Sequence, residues 1–283
     1  MENAYQETMF LLKKYNISAN KSLGQNFLIN DEVIEKTVSS AEITNEDLVI
    51  EIGPGLGTLT SKLIQNAKKV IAIELDNRMI KILGERFSLY SNFEIINNDV
   101  LKVNLQELIE KEKIENNIKN VKVVANLPYY ITTPIIMKLL EDKLDIESIT
   151  VMVQKEVAKR LAAEPGNKLA GAITYSVKYY CDTEEIIEVS NDSFIPAPEV
   201  DSEVIKLILR KDPPVKVKNE ESFFKLIKAS FMQRRKTFLN GVSNSGLIEK
   251  QKIKDILNEL EIEENVRGEN LTLEQFSEIS NRM

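Results

Sequence analysis

The sequence predicts an α/β protein with a doubly wound, mostly parallel sheet and a second, smaller all-α domain. Short apolar runs alternate with amphipathic helical patterns through residues 48–209. A glycine-rich turn joins the first apolar run to its helix, at the place where such sheets bind ligands. Beyond Arg210–Pro214, a charged and proline-rich linker, every periodic segment is helical. We therefore expect two domains, 1–211 and 212–283.

The glycine-rich turn follows the apolar run Leu48–Ile52 and contains Gly53, Gly55 and Gly57. Glycines at a strand–helix junction let backbone N–H groups and a helix N-terminus approach a polar ligand closely. Many glycine turns bind nothing, so the next strand matters. It ends at Glu74, about 20 residues further on, where nucleotide-binding sheets place a carboxylate for ribose hydroxyls.

The spacing of these glycines discriminates between ligands. The pattern G-x-G-x-G differs from the dinucleotide fingerprint G-x-G-x-x-G, and Thr58 occupies the position where that fingerprint has Gly or Ala. The turn contains no lysine, which excludes a phosphate-binding P-loop. A mononucleoside ligand such as S-adenosylmethionine therefore fits better than a dinucleotide.

Two later strands also end in polar residues. Phe93–Ile96 runs into Asn98 and Asp99, and Val121–Ala125 runs into Asn126–Tyr129 (NLPY). The second site combines a side-chain amide, free carbonyls and an aromatic ring, which suits a flat ligand that donates hydrogen bonds, such as an adenine amine. The ordinary alternatives are Asn-Asp turn chemistry and a proline turn with packing tyrosines.

The composition of the 283 residues, 43% hydrophobic and 29% charged, is that of a soluble globular protein. The polar N-terminus does not resemble a signal peptide, and no apolar run reaches the ~20 residues that span a bilayer. Cys181 is the single cysteine, which fits a cytoplasmic protein without membrane association. Histidine is absent, which removes Ser–His and Cys–His pairs and the common zinc sites, so we expect no metal.

The net charge of −7 argues against generic polyanion binding, so an RNA contact would need a local basic face. The densest basic cluster is Arg234, Arg235 and Lys236, at the start of a predicted helix Arg235–Gly241. The ordinary alternative is a solvated helix face. Further along, the pair Thr272 and Gln275 predicts a capping box on the last helix.

Taken together, these stretches resemble the bacterial small-subunit (16S) ribosomal RNA adenine dimethyltransferases, the KsgA/RsmA family, nearly end to end. The resemblance is carried, in order, by Ser22–Leu28 (SLGQNFL), Glu51–Thr60 (EIGPGLGTLT), Glu74–Asp76 (ELD), Asn98–Val100 (NDV), Asn126–Tyr129 (NLPY), Phe194–Ser202 (FIPAPEVDS), Phe231–Thr237 (FMQRRKT) and Arg267–Leu271 (RGENL). One departure is Leu169–Ile173, where the family usually has a Tyr-Gly pair; we expect the helix there but no tyrosine contact with substrate.

The resemblance implies a Rossmann-like class I methyltransferase that uses S-adenosylmethionine. The implied reaction dimethylates the N6 amines of two adjacent adenosines in the hairpin loop near the 3′ end of 16S rRNA, with a role in small-subunit biogenesis. Implied cofactor contacts come from Asn26, Leu28, Gly53, Gly55, Glu74, Asp99, Val100 and Asn126. The expected catalytic residues are Asn126, Leu127, Pro128, Tyr129 and Phe194, with Tyr129 and Phe194 sandwiching the target base; Arg234, Arg235 and Lys236 are expected to grip RNA phosphates.

The expected partner is the immature small ribosomal subunit, bound by a monomeric enzyme. Three alternatives remain open on the sequence alone. A macrolide-resistance-type 23S rRNA adenine methyltransferase would share the fold and chemistry, although the FIPAPEVDS and FMQRRKT stretches favour the small-subunit family. A ribosome-assembly factor would depend on binding more than on catalysis. A nicotinamide-dependent oxidoreductase is disfavoured by the glycine spacing.

Overall fold

The computed structural model describes residues 3–233 and 235–283 of the chain. These residues form two compact units. The first comprises the residues up to Ala158 together with Glu184–Leu209, and the second comprises Lys159–Thr183 together with the residues from Arg210 onward.

The strands and helices of the described residues follow in chain order. The strands are β1 (Phe27–Leu28), β2 (Asp47–Ile52), β3 (Lys69–Glu74), β4 (Phe93–Asn97), β5 (Asn120–Asn126), β6 (Ser148–Gln154), β7 (Cys181–Val189), β8 (Phe194–Ile195) and β9 (Ser202–Leu209). The helices are α1 (Ala4–Lys14), α2 (Asp31–Ser40), α3 (Thr60–Asn66), α4 (Asn77–Arg86), α5 (Leu105–Glu115), α6 (Thr132–Glu141), α7 (Lys155–Ala162), α8 (Ala172–Tyr180), α9 (Glu220–Met232), α10 (Phe238–Asn244), α11 (Lys250–Glu259) and α12 (Leu273–Arg282).

Seven strands form one sheet in the order β4-β3-β2-β5-β6-β9-β7. The pairs from β4 to β6 are parallel, and β9 pairs antiparallel with β6. The central strands are mostly apolar because both faces of a parallel sheet are covered; Val49, Ile50 and Val123 are fully buried. The predicted doubly wound, mostly parallel sheet is confirmed.

The chain reverses its direction of winding between β2 and β5, which are neighbours in the sheet. Strands β3 and β4 are added on one side of β2, whereas β6 is added beyond β5. A reversal of this kind opens a crevice at the carboxyl ends of the two strands, where open α/β sheets bind ligands. The glycine turn follows β2 and Asn126 ends β5, so the topology brings these two predicted sites to the same place.

The second unit is helical and has its own core, which includes Phe223, Phe238 and Phe276. The domain boundary after residue 211 stays a prediction, and Lys159–Thr183 groups with this helical unit in the structure. Tyr175 on α8 explains the grouping: its ring packs edge-on against Phe276, and its hydroxyl donates to the carbonyl of Leu271 at 2.6 Å. A buried tyrosine with a partner for its hydroxyl ties this helix firmly to its neighbours.

Two local predictions in the helical unit have different outcomes. The capping box is present, since Thr272 accepts from the N–H of Gln275 and the Gln275 side chain accepts from the N–H of Thr272. The predicted helix Arg235–Gly241 is wrong at its start, because α10 begins at Phe238 with Thr237 as its N-cap. Helix α8 forms after the loop at Leu169, as expected. None of the helices in residues 3–233 and 235–283 is long and apolar enough to cross a membrane.

Candidate active site

A solvent-open cavity lies at the carboxyl ends of β2, β3 and β5 within the first unit, and it encloses about 1080 Å³ including its open mouth. Clefts of this size hold small ligands and cofactors. Most of the predicted site residues line it: Asn26, Leu28, Gly53, Gly55, Glu74, Asp99, Val100, Asn126, Leu127, Pro128 and Tyr129.

The glycine turn forms one wall of the cavity. Gly53 has a φ of +66° and donates its N–H to the carbonyl of Ile73 at 3.0 Å, which fixes the turn to β3. A Cβ at Gly53 would meet no atom within 4 Å, so the backbone here faces open space. Gly57 also has positive φ, but it faces the protein interior against Phe87. The two glycines therefore differ in their surroundings, because Gly53 borders the open cavity and Gly57 makes a close packing contact.

Glu74 ends β3 and is 7% exposed. Its Oε1 accepts from the N–H groups of Leu75 and Asp76, each at 2.8 Å, and its Oε2 accepts from the N–H of Gly55 at 3.3 Å. Burial raises the pKa of this carboxyl above its usual value. Because a carboxylate oxygen has two lone pairs, Oε2 keeps capacity for a ligand hydroxyl.

Asp76, the second acidic residue of the predicted ribose-binding strand end, is not among the residues that line the cavity. Its carboxylate accepts from Arg78, which lowers the pKa of Asp76, and its Oδ2 also accepts from Nε2 of Gln25 at 2.9 Å. Asp76 thus fastens the segment that precedes β1 to the end of β3, a contact between residues far apart in sequence. Only Glu74 of the acidic pair is presented to the cavity.

Asp99 and Val100 follow β4 on the cavity wall. One carboxylate oxygen of Asp99, Oδ1, accepts from the N–H of Leu101 at 3.0 Å and caps the short 3₁₀ turn that starts at Val100. The other carboxylate oxygen of Asp99, Oδ2, accepts no hydrogen bond within the described residues. Val100 is buried and supplies an apolar surface beside it.

Asn126 is oriented by the segment that precedes β1. Its Nδ2 donates to the carbonyl of Asn26 at 3.3 Å, so Oδ1 is the atom left to accept from a ligand. Next to it, Leu127 donates its N–H to the carbonyl of Met152. The carbonyl of Pro128 already accepts from the N–H of Ile131 and from Oγ1 of Thr132. The carbonyl of Leu127 is therefore the better placed of the two for a new acceptor bond.

Tyr129 lines the cavity with its hydroxyl 2.6 Å from Oγ of Ser202, the first residue of β9. Burial raises the pKa of this phenol, so it stays neutral. Phe194, its predicted partner in stacking, is placed differently. It pairs with Leu28 across β8 and β1, is 3% exposed and belongs to the core. The ring of Phe194 is thus covered by the core and is absent from the cavity lining, and its role in stacking stays a prediction.

Glu51 is a cavity residue that the sequence reading did not single out. It is 1% exposed, and Oγ1 of Thr60 donates to its Oε2 at 2.6 Å. Burial, with a contribution from the charge of Glu74, raises the pKa of Glu51 to about 8. Its position one residue before the end of a fully buried strand was the available signal, since a carboxyl there must lose its hydration.

The predicted RNA-binding cluster belongs to the second unit. Arg235 and Lys236 are exposed and lie in a turn between α9 and α10, not on a helix face. Neither has an ion pair within the part of the chain that the structure describes. Arg234 lies outside the described residues. Two uncompensated cations on an exposed turn are available to a polyanion.

The fold and the cavity define a Rossmann-like class I methyltransferase. Residues 16–283 match the family model for ribosomal RNA adenine dimethylases. Relatives named ribosomal RNA small subunit methyltransferase A include one from Clostridioides difficile strain 630, 50% identical over 99% of this chain and 96% of its own, and one from Lachnoclostridium phytofermentans, 51% identical over 97% and 95%. The chain belongs to the ribosomal RNA adenine dimethylase family.

Solved structures agree with this assignment. A dimethyladenosine transferase from Plasmodium falciparum is 29% identical with a TM-score of 0.73, over 89% of this chain and 95% of its own. The 23S rRNA methyltransferase ErmE has a TM-score of 0.68 at 24% identity, over 91% of this chain and 99% of its own, which shows that the fold is shared. The family predicted from the sequence motifs is thereby confirmed.

Proposed function

We propose that this protein transfers methyl groups from S-adenosylmethionine to the N6 amines of two adjacent adenosines in the hairpin loop near the 3′ end of 16S rRNA. The observation that carries the proposal is the meeting of the glycine turn and Asn126 in one cavity, with Oδ1 of Asn126 free to accept. Membership in the dimethylase family and the small-subunit names of its relatives support the choice of substrate.

The polar and apolar groups that line the cavity fit S-adenosylmethionine. The free side of Glu74 Oε2 suits a ribose hydroxyl, and Oδ2 of Asp99 with apolar Val100 suits the amine and face of an adenine. The open space at Gly53 admits the methionine portion against bare backbone. We further assign Asn26, Leu28 and Gly55 to the walls that enclose it. When bound, S-adenosylmethionine supplies a methyl group on a sulfonium, which is already activated for in-line transfer.

The residues of the chain have to make the N6 nitrogen of adenine reactive toward the methyl group. The lone pair of an adenine amine is delocalised into the ring, and holding both N6 protons favours a pyramidal nitrogen. Asn126 Oδ1 and the Leu127 carbonyl accept hydrogen bonds from these two N–H groups, and Pro128 restricts the backbone of Leu127. Such positioning contributes up to ~7–11 kcal/mol to catalysis. After transfer the nitrogen loses a proton to water, so a histidine base is not required, and one N6–H remains for a second round.

The target adenine must leave its stack to reach these acceptors. Tyr129 is held by Ser202 and offers its ring to the base, a contact that contributes ~1–3 kcal/mol. Arg235 and Lys236 bind RNA phosphates, and the same role is assigned to Arg234 from the sequence. We assign the immature small subunit as the partner, and a monomer acting in the cytoplasm as the working form.

Asn126→Ala tests the proposal. Methyl transfer should fall by about 10²–10³-fold, as for the loss of one aligned hydrogen-bond partner in other active sites, while calorimetry still detects S-adenosylmethionine binding. Asn66→Ala, on the exposed end of α3, is the control and should behave as wild type. Turnover of the Asn126 variant at the wild-type rate would remove this residue from catalysis.

A further inference from the structure

Tyr130 follows Asn126–Tyr129 directly, yet it differs from its neighbour. Tyr129 is partly buried and its hydroxyl is bonded to Ser202, whereas Tyr130 is 60% exposed although it also lines the cavity. Within residues 3–233 and 235–283, the structure gives the Tyr130 hydroxyl no hydrogen bond and its ring no aromatic partner. An aromatic ring is thus presented to solvent at the entrance of the cavity.

The ring is positioned by Gly24 in the segment before β1. A Cβ at Gly24 would lie 3.3 Å from Cδ1 and 3.6 Å from Cε1 of Tyr130, so the ring lies close against this backbone. Gly24 has a φ of +60°, which a residue with a side chain would adopt only with strain. The contact holds Tyr130 at the cavity rim and still leaves more than half of the side chain open.

The depth of the hydrogen-bond acceptors in the cavity indicates what the Tyr130 ring contacts. Leu127, whose carbonyl is assigned to the target amine, is 1% exposed and lies inside the cavity. An adenine that enters that far has left its stack, and the nucleotide beside it stays at the entrance with one face uncovered. Exposed aromatic rings bind such faces without regard to sequence, since every base has a π-face.

We propose that Tyr130 stacks on the nucleobase next to the adenine that receives the methyl group. This inference rests on the proposed function. It also gives the site a means of holding two neighbouring adenosines at once, one among the acceptors and one on the ring, so that the two can exchange places between rounds of transfer.

Three variants test it on a short RNA hairpin that contains two adjacent loop adenosines. Tyr130→Leu keeps apolar bulk against Gly24 but removes the planar ring, and should weaken RNA affinity about 5- to 150-fold with unchanged S-adenosylmethionine affinity. Tyr130→Phe should bind RNA as wild type. Tyr90→Leu alters a tyrosine that is 45% exposed but lies outside the cavity lining, and should also bind as wild type.

A direct readout uses 2-aminopurine in place of one loop adenine. Its fluorescence should be quenched by wild-type protein and by Tyr130→Phe, and much less by Tyr130→Leu. Equal RNA affinity and equal quenching for wild type and Tyr130→Leu would overturn the inference, as would a matching loss of S-adenosylmethionine affinity. These experiments measure binding, so they can also be made with the Asn126→Ala variant. A failure of the proposed function would instead be seen in the assay of methyl transfer.

Discussion

Replacing Gly57 or Gly53 by Ala should separate the two purposes of the glycine turn. Both residues have positive φ, +85° and +66°, so each substitution costs roughly 1–2 kcal/mol in backbone strain. At Gly57 the new Cβ would also lie 2.7 Å from Cε2 of Phe87 and 2.8 Å from Cδ2 of Leu83. Leu83 is fully buried, and the Phe87 ring is packed edge-on against Phe93, so neither can move freely.

Overpacking of a core contact costs about 1–3 kcal/mol. We therefore expect Gly57→Ala to lower the free energy of unfolding by ~2–5 kcal/mol and Gly53→Ala by only ~1–2 kcal/mol. Cofactor affinity should show the opposite order, because the Cβ at Gly53 enters the cavity whereas Gly57 does not line it.

Urea unfolding followed by circular dichroism measures the first effect, since the chain has no tryptophan for fluorescence. Calorimetric titration with S-adenosylmethionine measures the second. Equal losses of stability in the two variants would show that the close contact with Phe87 and Leu83 has no energetic consequence. A Gly53 variant with wild-type cofactor affinity would show that the ligand does not lie against this backbone.

Two further predictions concern buried groups at the cavity. Burial raises the pKa of Glu51 from 4.5 to about 8, so between these pH values the folded protein holds a proton that the unfolded chain releases. The free energy of unfolding should therefore fall by on the order of a few kcal/mol as the pH rises from 4.5 to about 8. Urea unfolding across this pH range measures the fall, and Glu51→Gln should flatten it. Tyr129→Phe and Ser202→Ala should each lower stability by ~1 kcal/mol, and the double variant should lose little more, because both remove the same hydrogen bond; additive losses in this cycle would mean that the bond contributes nothing.

The sequence was informative wherever function follows from a position at a strand end. Gly53, Glu74, Asp99 and Asn126 each follow or close an apolar strand, and parallel strands bring their carboxyl ends to one edge of the sheet. Their meeting in one cavity was therefore predictable from periodicity and fold class. Their individual roles came from the resemblance to a family.

Contacts between distant segments were not predictable from local patterns. The bond from Gln25 to Asp76 and the pairing of Phe194 with Leu28 join residues that no spacing relates. The first gives Asp76 a structural partner, and the second places Phe194 in the core. The position of Tyr175 in the helical core likewise follows from packing, so chain order alone does not predict that Lys159–Thr183 groups with the helical unit.

The most direct test of the central claim is mass spectrometry of ribosomal RNA after incubation with the protein and S-adenosylmethionine. Small-subunit particles that lack the modification should gain N6,N6-dimethyladenosine at two adjacent positions in the hairpin loop near the 3′ end, and large-subunit RNA should remain unmodified. Methylation confined to large-subunit RNA, or none on either RNA by a protein that binds the cofactor, would contradict the account.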